Sequence, residues 1–286
     1  MPVAHGGSPF RRIADGLRVM RMYRRRFGRY PNLLFPRTFT EKMQVAKLTW
    51  RSPLLPVFID KIESKRFVAD HFGADLVTPS LYTGDRLPQR EARDWTLPYV
   101  VKPSHWSGGN FFIRTEQDRD WDRIEPELDA MLARHYGVGM GEWAYGQIRP
   151  RVLVEPFLGT DGPPTDFKLY TFGGKVAYFS LTEGRLREPR FAVYDRNWTQ
   201  VPVKVAAGPV LPRRPPPVEL DRMVAIAEKI GQRLPFCRLD FYEVDGRARF
   251  GEITIYANSG FAAFDPPSYD RTFGDLFPSG QPARQW

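Results

Sequence analysis

Hydrophobic positions recur at helical spacing over residues 9–28, where Phe10, Ile13, Leu17, Met20 and Phe27 mark one side. Arg11, Arg12, Arg18, Arg21, Arg24, Arg25 and Arg26 surround them, so the segment reads as a basic amphipathic helix. A second helix opens at Thr38-Phe-Thr-Glu-Lys, with Thr38 or Thr40 as its cap. A third runs from Asp60 to Phe72, with Gly73 as the C-terminal stop. Leu76–Leu81 and Leu97–Pro103 read as strands, 119–136 as a helix, and Arg151–Glu155 and Asp166–Phe172 as further strands. Gly173-Gly174 makes a tight hairpin into Lys175–Leu181. After a proline-rich linker at 208–217, Met223, Ile226, Ala227 and Ile230 mark a helix over 219–233. Strands arrive as hairpins with helices between them, which predicts an α+β fold with largely antiparallel sheets.

Composition narrows the class. The chain has 286 residues, 42% hydrophobic and 14% aromatic, enough for a full core. There is no apolar run of about 18 residues and no signal-peptide core, so a cytoplasmic protein is expected. The single cysteine, Cys237, excludes an internal disulfide framework and reads as core filling. The net charge of +9 suits nucleic acid, an anionic membrane surface or acidic small substrates. No nucleic-acid-reading module is present, so an acidic substrate or anionic carrier is the expected partner. The basic N-terminal helix adds possible contact with a membrane surface or anionic polymer. The tail from Asp265, rich in Pro, Ser and Gly, is expected to be loose.

Candidate chemistry centres on Arg238-Leu-Asp-Phe-Tyr and Phe250-Gly-Glu-Ile-Thr, joined by a Val244-Asp-Gly-Arg turn. The hairpin sets Asp240 beside Glu252. Two bare carboxylates ~5 Å apart repel by roughly 3 kcal/mol at an effective dielectric near 20, so such a pair shares a proton or a cation. Arg238 lies two residues before Asp240, on the same strand face. Together these suit a metal–phosphate site and a nucleoside triphosphate. Lys102 ends a strand before the Ser107-Gly108-Gly109-Asn110 loop, whose backbone N–H groups can cradle phosphates. The same tetrapeptide is also an ordinary hairpin turn. Glu155 ends its strand, where it can accept from an adenine amino group beside Phe157 and Leu158, or simply face water. Asp166, Lys168 and Tyr170 share one face at period two, either a wet cleft or the solvent face of an edge strand. His105 lies in the glycine loop and is a further candidate.

In order, Asp60-Lys-x-x-x-Lys, Val100-Val-Lys-Pro-Ser, Ser107-Gly-Gly-Asn, Val152-Leu-Val-Glu, Arg238-Leu-Asp-Phe and Gly251-Glu-Ile resemble the ATP-grasp superfamily. Phe39-Thr-Glu-Lys-Met, Gly141-Glu-Trp-Ala-Tyr, Arg149-Pro-Arg-Val, Asp166-Phe-Lys and Ser259-Gly-Phe resemble its TupA-like branch, named for teichuronopeptide biosynthesis. The resemblance implies ATP held between two α+β subdomains and a carboxylate activated as an acyl phosphate for attack by an amine. It implies Lys61 and Lys102 on the phosphates and Ser107, Gly108, Gly109 and Asn110 as a lid loop. Glu155 and Leu158 would take the adenine, Asp166 with Lys168 the ribose side, and Arg238 the transferring phosphoryl group. Asp240 and Glu252 would hold Mg2+. Many members have Glu-x-Asn where this chain has Glu252-Ile-Thr254, so Thr254 or Asn258 would fill the further metal position.

The expected organisation is an N-terminal helical region (1–59), the N-terminal and lid part of the grasp (60–158), its C-terminal subdomain (159–264) and the loose tail (265–286). The expected function is an ATP- and Mg2+-dependent carboxylate–amine ligase in cell-surface polysaccharide or related polymer biosynthesis, joining an amino acid to a uronic acid or similar carboxylate. Arg185, Arg187 and Arg190 are candidates for the acidic substrate. A phosphotransferase on the same ATP site is one rival. A non-catalytic binder of anionic glycan or nucleic acid is the other, and it predicts steep salt dependence with no need of the carboxylates.

Overall fold

The computed structural model describes residues 9–159, 162–184, 188–206 and 208–286. Arg185 and Arg187 lie outside the described residues, as do the side chains of Phe10, Arg11 and Arg12, while Arg190 begins a strand instead of sitting in a loop. Four helices come first: α1 (Pro9–Phe27), α2 (Phe39–Thr49), α3 (Leu54–Ile59) and α4 (Lys61–Phe72). Thr38 caps α2 through a reciprocal box with Glu41. Asp60 caps α4, its carboxylate accepting from the Ile62 N–H at 2.8 Å.

A four-stranded antiparallel sheet contains β1 (Tyr82–Gly84), β2 (Tyr99–Pro103), β3 (Phe111–Ile113) and β4 (Val152–Pro156), in the order β1-β4-β2-β3. Helix α5 (Trp121–Leu132) buries Ile124 and Leu128 against it. This helix is shorter than the 119–136 expected, because Asp120 caps its start, accepting from the Arg123 N–H. The strand expected at 76–81 is not there: pairing begins with the Leu81 N–H on the Val154 carbonyl, and β1 follows. Pro79 has no N–H to donate, and Lys65 takes the Thr78 carbonyl.

The larger sheet has six strands, β5 (Asp166–Phe172), β6 (Lys175–Glu183), β7 (Arg190–Asp195), β8 (Gln200–Val201), β9 (Phe236–Val244) and β10 (Arg247–Thr254), in the order β10-β9-β5-β6-β7-β8. Both expected two-residue hairpins form. Gly173-Gly174 and Asp245-Gly246 all have positive φ, the backbone twist that joins antiparallel strands tightly. Helix α6 (Leu220–Gly231) covers one face through Met223, Ala227 and Ile230.

The tail is not loose. Helix α7 (Ser268–Leu276) docks on α2: Asp270 accepts from the Thr40 N–H at 2.9 Å and its hydroxyl at 2.7 Å. At the other end of α7, Lys42 donates to the Gly274 and Phe277 carbonyls at 2.7 and 2.6 Å, satisfying acceptors at the helix terminus. Phe273 and Phe277 join Phe39, Phe172 and Phe236 in one aromatic cluster of the core. The prolines that suggest disorder flank this helix, while Gly274 lies inside it.

Candidate functional site

A cavity of about 410 Å3 is lined from both sheets and from α4. Residues Lys61, Lys102, Ser107, Gly108, Gly109, Asn110, Glu155, Leu158, Asp166 and Glu252 all line it, whereas Arg238, Asp240 and Thr254 are not among its lining residues and lie beside Glu252.

The floor is a buried charge cluster. Val100 pairs with Glu155 across β2 and β4, which puts Lys102, two residues along β2, on the face of that carboxylate. Glu155 is not a strand-end residue facing water: it is 4% exposed and ion-paired to both Lys102 and Lys65. A carboxylate offers about four lone-pair positions, so two lysines leave capacity for another donor. Lys65 was missed as a site residue, although it lies one helical turn after Lys61 and shares its face of α4. Burial, then the Lys102 charge, holds the Lys65 ammonium well below the ordinary lysine pKa. Lys61 donates to the Trp106 carbonyl at 2.6 Å and lies 3.7 Å from Glu252, so it spans the glycine loop and the second sheet. Gly108 and Gly109 both take left-handed φ values, which let the loop turn over the cavity. Phe112 and Phe157, in edge-to-face contact at 5.8 Å, and Leu158 form an apolar flank.

The opposite wall comes from β9 and β10. Glu252 pairs with Asp240, as the hairpin requires, but a bulge between Phe250 and Glu252 intervenes. Gly251 sits at this bulge, and a Cβ there would lie 2.9 Å from the Asp240 carbonyl oxygen. The two carboxylates are not bare. Arg238 donates through Nε and Nη2 to Asp240 at 2.6 and 2.7 Å, and Lys168 donates to the same carboxylate at 2.9 Å. Burial alone would raise the Asp240 pKa, but Arg238 and Lys168 outweigh it and hold it down. Lys168 also pairs with Asp166, so it bridges two buried acids and does not line the cavity. Arg238 contacts Thr254 Oγ1 at 3.1 Å, making Thr254 a support for the guanidinium. Asn258 does not line the cavity and is exposed in a turn at positive φ.

Glu252 is the carboxylate turned to the open space. Its side chain is 36% exposed, with Lys61 and Arg238 each at the loose distance of 3.7 Å. Burial would raise its pKa, yet Lys61 and then Arg238 prevail over Asp240 and leave it lowered. Among the described residues no group of three or more His, Cys, Asp and Glu is arranged as a metal site. This donor set still fits Mg2+, which keeps most of its waters and needs one or two protein carboxylates. Glu252 is available for that, with Asp240 beside it and committed to Arg238 and Lys168. Tyr242 and Phe250 also line this wall and were missed; Tyr242 shares the face of Arg238 and Asp240 at period two. Tyr170 continues the Asp166–Lys168 face but is buried, stacked edge-on to Phe273, so that face leads into the core beneath α7. His105 is also buried, its Nε2 2.8 Å from the Arg134 carbonyl, and serves packing.

A second polar cluster lies behind this wall. Lys47 of α2 donates to the Ser259 carbonyl and hydroxyl at 2.9 and 3.1 Å, anchoring the left-handed Asn258-Ser259 turn. Glu142 is buried near this pair. Burial pushes Glu142 up to about 7, against the Ser259 hydrogen bond and the Lys47 charge. Burial brings Lys47 down to about 8, against Glu142.

Solved structures with limited similarity include an ATP-grasp ligase, PsnB, complexed with a minimal precursor (16% identity, TM-score 0.42, covering 72% of this chain and 55% of that one). A D-alanine–D-alanine ligase from Bacillus anthracis gives 18% identity and a TM-score of 0.42, covering 79% and 68%. The chain thus spans about half the length of PsnB. No curated protein matches. The model of the TupA-like ATP-grasp family matches residues 41–278, and the chain belongs to that family.

Proposed function

We propose that this chain is an ATP- and Mg2+-dependent ligase that joins a carboxylate to an amine through an acyl phosphate. The observation that carries this reading is the single cavity in which the lysines of α4 and β2, the glycine loop, the Glu155–Leu158 edge and Glu252 meet. D-alanine–D-alanine ligase and PsnB, the latter solved with Mg and ADP, share the ligase description and support the reaction class. Teichuronopeptide-type chemistry supports the finer reading: an amino acid joined to a uronic acid or similar carboxylate during cell-surface polymer biosynthesis, on the cytoplasmic side.

Each part has a task in this reading. The apolar flank of Phe112, Phe157 and Leu158 takes the adenine, and Glu155 accepts from its amino group. Lys61, Lys65 and Lys102 compensate phosphate charge, and the loop at 107–110 closes over it through backbone N–H groups. Asp166 faces the ribose. Mg2+ on Glu252 would neutralise phosphate oxygens and keep them in line for transfer. Asp240 and Thr254 hold the Arg238 guanidinium in one plane, so it meets developing charge without reorganising. That fixed charge serves both phosphoryl transfer and the acyl phosphate.

The test supplies ATP, Mg2+, an amino acid and a uronate, and follows ADP, phosphate and amide. Stoichiometric ADP, phosphate and amide support the ligase, with loss of about a hundredfold or more in Lys102→Met. ADP with a phosphorylated product and no free phosphate establishes the phosphotransferase instead. Absence of Mg2+-dependent ATP binding by calorimetry overturns both.

A further inference from the structure

The N-terminal segment presents a surface that the cavity does not use. Of the nine large hydrophobic side chains exposed among the described residues, five fall within residues 13–35: Ile13, Leu17, Tyr30, Leu34 and Phe35. Leu34 is 86% and Phe35 75% exposed, and they sit side by side. Residues 13–37 also hold seven arginines against a single acid, Asp15, and so carry two thirds of the net charge of +9. Burying Val19 and Tyr23 turns the opposite side of α1 outward, and Ile13, Leu17, Arg21 and Arg24 follow one another there at spacings of four, four and three. Arg24 extends this stripe into the loop, donating to the Tyr30 hydroxyl at 2.8 Å.

The apolar tip is held in place. Asn32 Oδ1 accepts from the Phe35 N–H at 2.9 Å, closing a local turn. Glu41 fastens both ends of that turn, accepting from the Asn32 N–H at 3.2 Å and the Arg37 N–H at 3.1 Å. Arg29 donates to the same carboxylate at 2.6 Å. Leu34 and Phe35 therefore project from a braced loop. An apolar patch costs solubility when it faces water, and a contiguous one marks an interaction surface.

We propose that α1 and the loop at 28–37 dock the enzyme on an anionic lipid bilayer, with Leu34 and Phe35 entering the headgroup boundary and the arginines meeting lipid phosphates. Charge selects this occupant. A second copy would bring the same dense positive charge to the contact. A solvated anionic polymer would satisfy the arginines but leave Leu34, Phe35, Ile13 and Leu17 in water. A bilayer with acidic headgroups satisfies both. Docking does not depend on the ligase reading.

The experiment is co-sedimentation of the full chain with phosphatidylcholine vesicles, with and without phosphatidylglycerol, at low and high salt. The wild-type chain should sediment with the anionic vesicles only, and less at high salt. Neutralising Arg18, Arg21 and Arg25 together to Gln should weaken partition about a hundredfold. Leu34→Ser with Phe35→Ser should weaken it at least about tenfold at unchanged charge. Neither variant should change the thermal midpoint or ATP binding, which separates this test from that of catalysis. Three results overturn the proposal: no sedimentation with anionic vesicles, binding indifferent to Leu34 and Phe35, or a dimer in the absence of lipid that the Leu34/Phe35 variant dissolves.

Discussion

Asp240→Asn tests the arrangement of the second wall most directly. Asp240 is 3% and Arg238 9% exposed, and three charge-assisted hydrogen bonds of 2.6–2.9 Å end on this one carboxylate. Asparagine keeps one acceptor for Arg238 Nε but turns an NH2 toward Arg238 Nη2 and Lys168 Nζ, donor against donor. Glu252, at 3.7 Å, is too distant to replace the lost partner. Removing one member of such a buried pair costs about 3–5 kcal/mol, because the arginine is left without compensation. Urea unfolding followed by tryptophan fluorescence at pH 7 measures it. Arg238→Met should cost a similar amount, and the double variant about 2 kcal/mol less than the two losses added. Acid titration adds an independent readout. The folded-state pKa of Asp240 is depressed, so its contribution is complete above the ordinary value of 3.8 and lost as pH falls through the folded value. Asp240→Asn should therefore flatten the acid limb below about pH 4. A loss below ~1 kcal/mol, or additive single losses, would refute the claim that Asp240 holds Arg238 in a desolvated clamp.

Gly251→Ala should destabilise by about 1–3 kcal/mol, since its Cβ would lie 2.9 Å from a backbone oxygen; the urea midpoint reads this directly. Phe273→Ala should cost about 3–5 kcal/mol, and a wild-type midpoint in that variant would restore the loose tail. Glu142, raised from the ordinary 4.5 to about 7, binds more protons folded than unfolded, so it makes stability fall as pH rises across that window. The decline is up to about 3 kcal/mol, and Glu142→Gln should remove it in urea titrations at pH 5 and 7.

Local rules made the site-bearing elements legible. The hairpin at 238–254 follows from Asp245-Gly246, and period two then puts Arg238 and Asp240 on one face. The starts of α2 and α4 follow from Thr38 and Asp60 as caps. What failed depends on distant partners. The tail looked loose because it is rich in Pro, Ser and Gly, while its helix folds against Thr40, Lys42 and an aromatic core more than 200 residues away. Lys168 was assigned to nucleotide because spacing gives its strand face, while only the register of β5 against β9 shows that it faces Asp240. Lys65 gave no signal of its own in the sequence, because its partner Glu155 lies on another element.

The opposed carboxylates show how charge pairing and catalytic availability are divided across the hairpin. Adjacent acids at Asp240 and Glu252 would repel, and the chain resolves this asymmetrically. Asp240 receives Arg238 and Lys168 at hydrogen-bond distance and is sequestered at 3% exposure, whereas Glu252 has two cations at 3.7 Å and remains partly open to the cavity. A close bidentate pair is difficult to exchange, while a loose one at a partly hydrated carboxylate exchanges at little cost. The bulge at Gly251 shifts the register just before the Glu252–Asp240 pair. An entering cation should therefore displace Lys61 from Glu252 before it competes for Asp240, and the freed ammonium would turn to the phosphate. Lys61→Met should then tighten Mg2+ binding in the absence of nucleotide while weakening ATP binding. Calorimetry showing both weakened would place the cation at Asp240 instead.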